Sequence, residues 1–243
     1  MPSIKLSVNV NKVATLRNSR GGNDPNVLEA VSTCVAAGAP GITVHPRADA
    51  RHIRASDVLD IAELLKRSPA IEYNIEGDPR PELLDLVLKA RPAQCTLVPV
   101  KPGEVTSQAG WPVNTPVGEL QSIVEGMKKI GVRVSLFVDP VPEAIQWAAA
   151  VGGDRIELYT EPFARAFESG RGEESFSQYS DAAVLANSLG LGINAGHDLD
   201  LRNLTIFRRL PHLQEVSIGH ALVSHALYVG LERSVRDYLY ALR

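Results

Sequence analysis

Three residues able to move protons near neutral pH fall at or near the ends of apolar runs in this chain: His45 after GITV, Glu72 within AIEYN, and His197 closing GINAGH. Imidazoles titrate near neutrality without special help. A carboxylate drawn out of water is raised towards the same range and becomes a useful proton shuttle. Ile71 and Tyr73 flank Glu72, so strand alternation turns its carboxylate to the face opposite theirs. Arg47 and His52 follow His45 in HPRADARHI, and Lys12 and Arg20 follow the first apolar run, placing cations beside the acid-base groups. Gly219-His220 in SIGHALV marks a strand passing into a helix, where free backbone N–H groups and the helix dipole make an anion site. The chemistry these residues suit is proton transfer on a phosphorylated small molecule. Each has a plainer reading alone: a histidine satisfied in the core, Glu72 in a salt bridge with an arginine such as Arg47, loop cations in water. Asn9, Thr106 and Glu157 also lie at or just beyond strand ends, and it is the whole set that argues for a site. Two histidines and a carboxylate could ligate a metal, but neither H-x-H nor H-E-x-x-H is present, so no metal is expected. His212, beside Pro211, and His225, near the last helices, are set aside as surface or packing residues.

Such scattered residues meet only if a fold gathers them. Short β-rich runs near 4–9, 41–45, 70–74, 94–98, 132–138, 154–158, 192–195 and 214–218 alternate with amphipathic stripes. Val27, Leu28, Val31, Cys34 and Val35 form one stripe, with Asp24 as its cap, Pro25 in its first turn and Gly38 as its stop; Val58, Ile61, Ala62 and Leu65 form another after Ser56. Further stripes run through Leu83, Leu84 and Val87 and through Leu120, Ile123, Val124 and Met127. Strand-helix alternation of this kind implies a parallel sheet under helices. No G-x-G-x-x-G or P-loop follows the first strand, which disfavours an open dinucleotide fold. The expected architecture is a (β/α)8 TIM barrel with extra helices, one domain over residues 1–243, its active site at the carboxyl ends of the strands. Between Thr160 and Gly190, ESGRGEES reads as an inserted loop separating two helical pieces.

Composition bounds the partners. The chain has 243 residues, 44% of them hydrophobic, and a formal net charge of −3, so a core is available and no general attraction to nucleic acid is expected. The N-terminus MPSIKLSVNV lacks the h-region of a signal peptide, and no apolar span reaches the length of a bilayer crossing. The expectation is a soluble cytoplasmic protein without membrane contact, whose Cys34 and Cys95 are buried free thiols.

VNVNKVATLRNSRGG, GITVHPRADARHI, the glutamate of AIEYNIE, LVPVKPGEVTS, VSLFVDP, INAGHDL and SIGHALV, in this order along the chain, resemble the pyridoxine 5′-phosphate synthase family. The resemblance implies a barrel assembled as a homo-octamer that needs no metal or organic cofactor. It implies condensation of two small phosphorylated substrates, 1-deoxy-D-xylulose 5-phosphate and 3-amino-2-oxopropyl phosphate, to pyridoxine 5′-phosphate, orthophosphate and water. By similarity His45 and Glu72 fall on the family's proton acceptors and His197 on its proton donor. Asn9, Arg20, Gly219 and His220 fall on contacts to the amino-ketone phosphate, and Arg47, His52 and Thr106 on contacts to the deoxyxylulose phosphate. Where the family often reads N-x-D-H this chain has Asn9-Val10-Asn11-Lys12, and Asp198 stands where a glycine contacting phosphate is common. Asn11 and Lys12 keep hydrogen-bonding and phosphate-binding capacity but cannot carry protons at neutral pH. Asp198 suits a phosphate only if its carboxylate turns outward and its backbone N–H faces the ligand. The altered Asn11-Lys12 pair motivates another phosphosugar lyase or isomerase as an alternative, and a phospho-ligand sensor without turnover is the alternative outside enzymes.

Overall fold

The computed structural model describes residues 4–100 and 107–243. Eight parallel strands close into a barrel in chain order: β1 Lys5–Asn9, β2 Gly41–Val44, β3 Glu72–Gly77, β4 Gln94–Leu97, β5 Arg133–Val138, β6 Arg155–Tyr159, β7 Gly192–Gly196 and β8 Leu213–Ile218, with β8 pairing back to β1. Around them lie α1 Asn11–Asn18, α2 Val27–Ala36, α3 Ala55–Leu65, α4 Pro81–Ala90, α5 Val117–Lys129, α6 Pro142–Val151, α7 Glu161–Glu168, α8 Gly172–Ser188, α9 Leu204–Phe207, α10 His220–Val229 and α11 Leu231–Ala241. This is the expected (β/α)8 barrel with additional helices. No described helix is long and apolar enough to cross a membrane.

The core lies between barrel and helices, not inside the barrel. On β5, Val134, Leu136 and Val138 face outward and are fully buried, as are Ile156 and Leu158 on β6. Helices meet them with matching stripes: Leu83, Leu86 and Val87 of α4 are buried, and so are Val58, Ile61 and Leu65 of α3. Each such side chain removed from water is worth about 1.5–3 kcal/mol. Cys34 and Cys95 lie in this layer as free, buried thiols, and burial pushes Cys34 up to about 12, so it is not a nucleophile at neutral pH.

Barrel centres are usually filled by branched aliphatic side chains. Here they are polar. Ser7 Oγ and Thr43 Oγ1 lie 2.6 Å apart, Asn74 donates to Thr43 at 3.3 Å and Thr96 donates to Asn74 at 3.1 Å, forming a middle belt. Below it, Arg133 and Arg155 donate to Gln94 Oε1 at 3.1 and 3.3 Å, and Asn194 reaches Glu215 at 3.4 Å. Buried polar groups are stable in a core when they satisfy one another, and this column does so largely from its own side chains.

Three local expectations need correction. α2 begins at Val27, and the side chain of Asn26, not Asp24, accepts the backbone N–H groups of Leu28 and Glu29 at 2.8 and 3.2 Å. Pro25 stands before the helix rather than in its first turn. The ESGRGEES segment is mostly helical: α7 ends at Glu168, α8 starts at Gly172, and Glu173 and Glu174 enter its first turn, where the dipole favours carboxylates. The third correction concerns β3, which runs from 72 to 77 rather than 70 to 74.

Candidate active site

That shift moves Glu72 to the opposite end of the barrel from the one expected. It is the first residue of β3, at the amino ends of the strands, ion-paired to Lys5 of β1 and Arg133 of β5. Burial alone would raise its pKa, but hydrogen bonds from Lys5 and Arg133 outweigh burial and hold the carboxyl below its ordinary range. The salt-bridge reading was the right one for Glu72, with Arg133 and Lys5 as partners in place of Arg47. Tyr73 and Ile75 face the helices, so inward positions on β3 are Glu72, Asn74 and Glu76, and strand rise separates the two carboxylates by about 13 Å. Glu76, missed from the sequence, is the carboxylate at the mouth. Its signal was the same alternation continued two more steps through AIEYNIE.

At the mouth His45, just past the end of β2, presents Nδ1 to Glu76 Oε2 at 3.9 Å, longer than a hydrogen bond. His45 Nε2 is buried with no hydrogen-bond partner among the described residues. Buried polar atoms are rarely left so, and an orphaned imidazole nitrogen in a cleft marks a place for a ligand atom. The backbone of His45 is anchored from β1: Asn9 Oδ1 accepts the Asn11 N–H at 3.0 Å, and Asn11 Oδ1 accepts the His45 N–H at 2.9 Å. Asn11 therefore works as a clamp on the end of β2. His52 lies with its ring centroid 6.3 Å from that of His45, and Arg47 is buried beside them.

Across the mouth Glu157 of β6 is 3% exposed, and its carboxylate occupies the space a Cβ at Gly196 would take. Glu76 Oε1 receives Ser217 Oγ of β8 at 3.3 Å. His197 follows β7 with its ring against Phe137 and Tyr159, at centroid distances of 5.1 and 5.5 Å. Its φ of 79° and the 58° of Asp198 are left-handed, which costs a non-glycine residue about 1–2 kcal/mol. Thr160 holds that turn through the carbonyls of Gly196 and His197, and Asn203 donates to the Asp198 carbonyl at 2.9 Å. Gly219 passes over Asn9 so closely that a Cβ would lie 3.0 Å from it. His220 then opens α10.

Electrostatics at the mouth divides by residue type. Burial, followed by the charges of His52 and Arg47, drives His45 well below its ordinary range. Burial lowers His197 to about 4, and burial with the nearby Arg47 and Lys12 lowers His52 to about 4. Glu76 and Glu157 are both raised: burial dominates in each, the carboxyl of Glu215 adds repulsion to both, and that of Glu76 adds more at Glu157. Burial thus disfavours the charged form of the imidazoles and of these two carboxyls alike. Among the described residues no group of three metal-ligating side chains is gathered.

The other expected residues sit as follows. Lys12 is exposed on α1, and Arg20 is exposed in the turn that follows it. Asp198 is exposed, and with His220 it borders a cavity of about 640 Å³ between α7, the segment after β7, and α10, outside the barrel axis. Thr106 lies outside the described residues.

The model of the pyridoxal phosphate biosynthesis protein PdxJ family matches residues 6–243. This chain belongs to the PdxJ family. Its PdxJ relatives include the pyridoxine 5′-phosphate synthase of Bacteroides thetaiotaomicron, 51% identical over 240 residues and covering 98% of this chain and 99% of that one. The Leptospira biflexa enzyme of the same name is 51% identical over 251 residues, covering 98% and 96%. Among solved structures, the thiamine phosphate pyrophosphorylase of Pyrococcus furiosus superimposes with a TM-score of 0.62 at 13% identity, covering 98% of this chain and 95% of that one. Phosphoribosyl anthranilate isomerase of Thermus thermophilus gives 0.60 at 14%, covering 98% and 94%. At such identities these two share the PdxJ chain's barrel and nothing more is implied.

Proposed function

We propose that this PdxJ-family enzyme acts as a pyridoxine 5′-phosphate synthase, joining 1-deoxy-D-xylulose 5-phosphate to 3-amino-2-oxopropyl phosphate with release of orthophosphate and water. The observation that carries the mechanism is the His45 ring, which turns Nδ1 to the raised carboxyl of Glu76 at 3.9 Å and keeps a buried Nε2 without a hydrogen-bond partner among the described residues. The condensation requires an amine to add to a ketone, protons to move repeatedly between carbon and oxygen, a phosphate to leave and a ring to close. Acid-base groups of both kinds in one enclosed space suit that sequence, and no redox step is needed.

His45, held neutral, takes protons, and Glu76, held protonated, supplies them or acts as base after giving one up. Glu76 replaces Glu72 in this role. His197 is neutral at rest, so it accepts a proton before donating one to a leaving oxygen. Glu157 opposite Glu76 provides a second protonated carboxyl. The free N–H groups at the start of α10, with Asn9 and Arg20, bind one phosphate, and Arg47, His52 and Lys12 bind the other. Two doubly charged esters held by separate anchors bring their reacting carbons together, which is where much of the rate enhancement of a condensation originates. The protein is taken to work in the cytoplasm as a homo-octamer, a state that light scattering reads directly.

Incubating the purified protein with both phosphates should yield orthophosphate and pyridoxine 5′-phosphate, and His45→Asn should lower kcat by about 10²–10⁴-fold with the melting temperature retained. Product formation at the wild-type rate in His45→Asn rejects the assignment. Turnover of a different phosphosugar in place of this pair points to a lyase or isomerase, and tight binding without turnover to a sensor.

A further inference from the structure

The VATLRN motif contains two residues that the mechanism leaves unused, Arg17 and Asn18 at the end of α1. Arg17 is 1% exposed, one of the largest fully buried side chains among the described residues. Its Nη1 and Nη2 donate to Asp57 Oδ1 and Oδ2 at 2.6 and 2.8 Å, Nη2 also donates to the carbonyl of His52 at 3.1 Å, and Nε donates to Asn18 Oδ1 at 3.0 Å. Asn18 Oδ1 accepts a second cation, Arg54 Nη2, at 2.9 Å, while its Nδ2 donates to the carbonyls of His52 and Arg51 at 2.8 and 3.2 Å. The amide orientation is dictated by this company, because guanidinium groups need an acceptor and carbonyls need a donor. Both donors therefore converge on one acceptor, the His52 carbonyl.

His52 is a residue of the mouth, and its ring is fixed in a further way. Nδ1 accepts the backbone N–H of Ile53 at 3.0 Å, so the ring proton of the neutral imidazole resides on Nε2. With the carbonyl pinned on one side and Nδ1 on the other, Nε2–H is the ring's remaining donor. A buried bidentate Arg–Asp pair is a costly way to tie two elements together when an apolar contact would serve. Its geometry, unlike an apolar contact, defines a direction.

We propose that Arg17 and Asn18 are positioning residues which lock the His52 imidazole as an Nε2–H donor aimed at the substrate phosphate bound beside Arg47. This rests on the reading of the His45 mouth as the active site. It makes the end of α1 a part of the substrate-binding apparatus although neither side chain touches a substrate.

Replacing Arg17 strands the Asp57 carboxylate in the interior and is expected to unfold the chain, so Asn18 carries the test. Asn18→Asp is isosteric, keeps an acceptor for both arginines, and sets an oxygen against two carbonyl oxygens. In the full-length enzyme, Asn18→Asp, His52→Ala and the double variant are compared by steady-state kinetics with the deoxyxylulose phosphate varied. Asn18→Asp should raise KM about tenfold with kcat within about threefold, and the double variant should bind no worse than His52→Ala alone, as coupled residues behave. Independent losses that multiply in the double variant, or an unchanged KM in Asn18→Asp, overturn the proposal and leave the site reading intact. A His52→Ala variant with wild-type KM overturns both the proposal and the placement of His52 against substrate.

Discussion

Glu72 and Glu76 stand on one strand, on one face, two inward positions apart, and their environments drive them to opposite protonation states. At the floor, Glu72 meets two cations, keeps partial contact with water, and is ionised. At the mouth, Glu76 meets a histidine, a serine and the repulsion of Glu215, and holds its proton. The floor is neutralised by complementary charge. At the mouth His45 Nε2 has no partner among the described residues. Identical side chains thus serve closure at one end and reactivity at the other, and the difference lies in which strand ends surround them.

The largest effect expected from this contrast is kinetic. Glu76→Gln should reduce kcat by about 10²–10⁴-fold, since the amide keeps shape and loses the proton. Glu72→Gln should leave kcat within about twofold. Its cost is thermal: two partly exposed ion pairs are lost, worth together about 1–2 kcal/mol, which lowers the melting temperature by roughly 2–8 °C and less so in high salt. Steady-state assays and thermal melts of the two variants side by side decide it. If Glu72→Gln abolishes turnover while Glu76→Gln does not, the two ends have been assigned the wrong way round.

A pH series sharpens the same comparison. His52 and His197 sit at about 4 in the folded protein, whereas in the unfolded chain a histidine binds its proton from about 6.5 downward. Stability from these groups is complete above pH 6.5 and is lost as pH falls through about 4. Glu76 and Glu157 run the other way: the unfolded carboxyl ionises near 4.5 and the folded one at higher pH, so their contribution is complete below 4.5 and is lost as pH rises through the folded values. No pH satisfies both sets, so the mouth costs stability throughout, as sites selected for reactivity often do. In Glu76→Gln the alkaline fall should flatten, giving a melting temperature above wild type at pH 8–9 by a few degrees, roughly the equivalent of 1–2 kcal/mol. At pH 5 the two should melt together. Equal melting at both pH values would mean that Glu76 is ionised in the fold.

How much of this could be read from sequence follows the same division. The outer faces of the strands and the helix stripes were legible, because Val58, Ile61 and Leu65 or Val134, Leu136 and Val138 repeat with the periods of their elements. His45 and His197 were legible as strand-end residues because an apolar run stops at each. Glu76 was not, because the inward face of β3 is polar along its whole length, and an apolar run read as the strand therefore begins and stops too early. A glutamate at 72 and another at 76 obey the same alternation, and only the register of Gly41 against Glu72 and of Glu76 against Thr96 tells floor from mouth. Gln94, Arg133, Arg155 and Glu215 were hidden for a related reason: they satisfy one another across distant strands. The clamp of Asn11 on the His45 backbone likewise joins the start of α1 to the end of β2, which no local pattern connects.

The smallest expected effect lies at Asp198, next to the strained turn of His197. Its left-handed φ of 58° costs a side chain about 1 kcal/mol, which Asp198→Gly relieves, but glycine also gains freedom in the unfolded chain worth about 0.4–1 kcal/mol. The two nearly cancel, and the melting temperature should rise by no more than about 2 °C. The kinetic side is the informative one. Asp198 is exposed and shares a cavity with His220; with its carboxylate turned to solvent, a phosphate at the start of α10 meets the backbone N–H groups alone, and KM for the amino-ketone phosphate should change by less than about twofold. A KM tenfold lower in Asp198→Gly would mean that the carboxylate does face the ligand, and that the mouth tolerates an unfavourable charge at its phosphate anchor as well as an unpartnered imidazole at its centre.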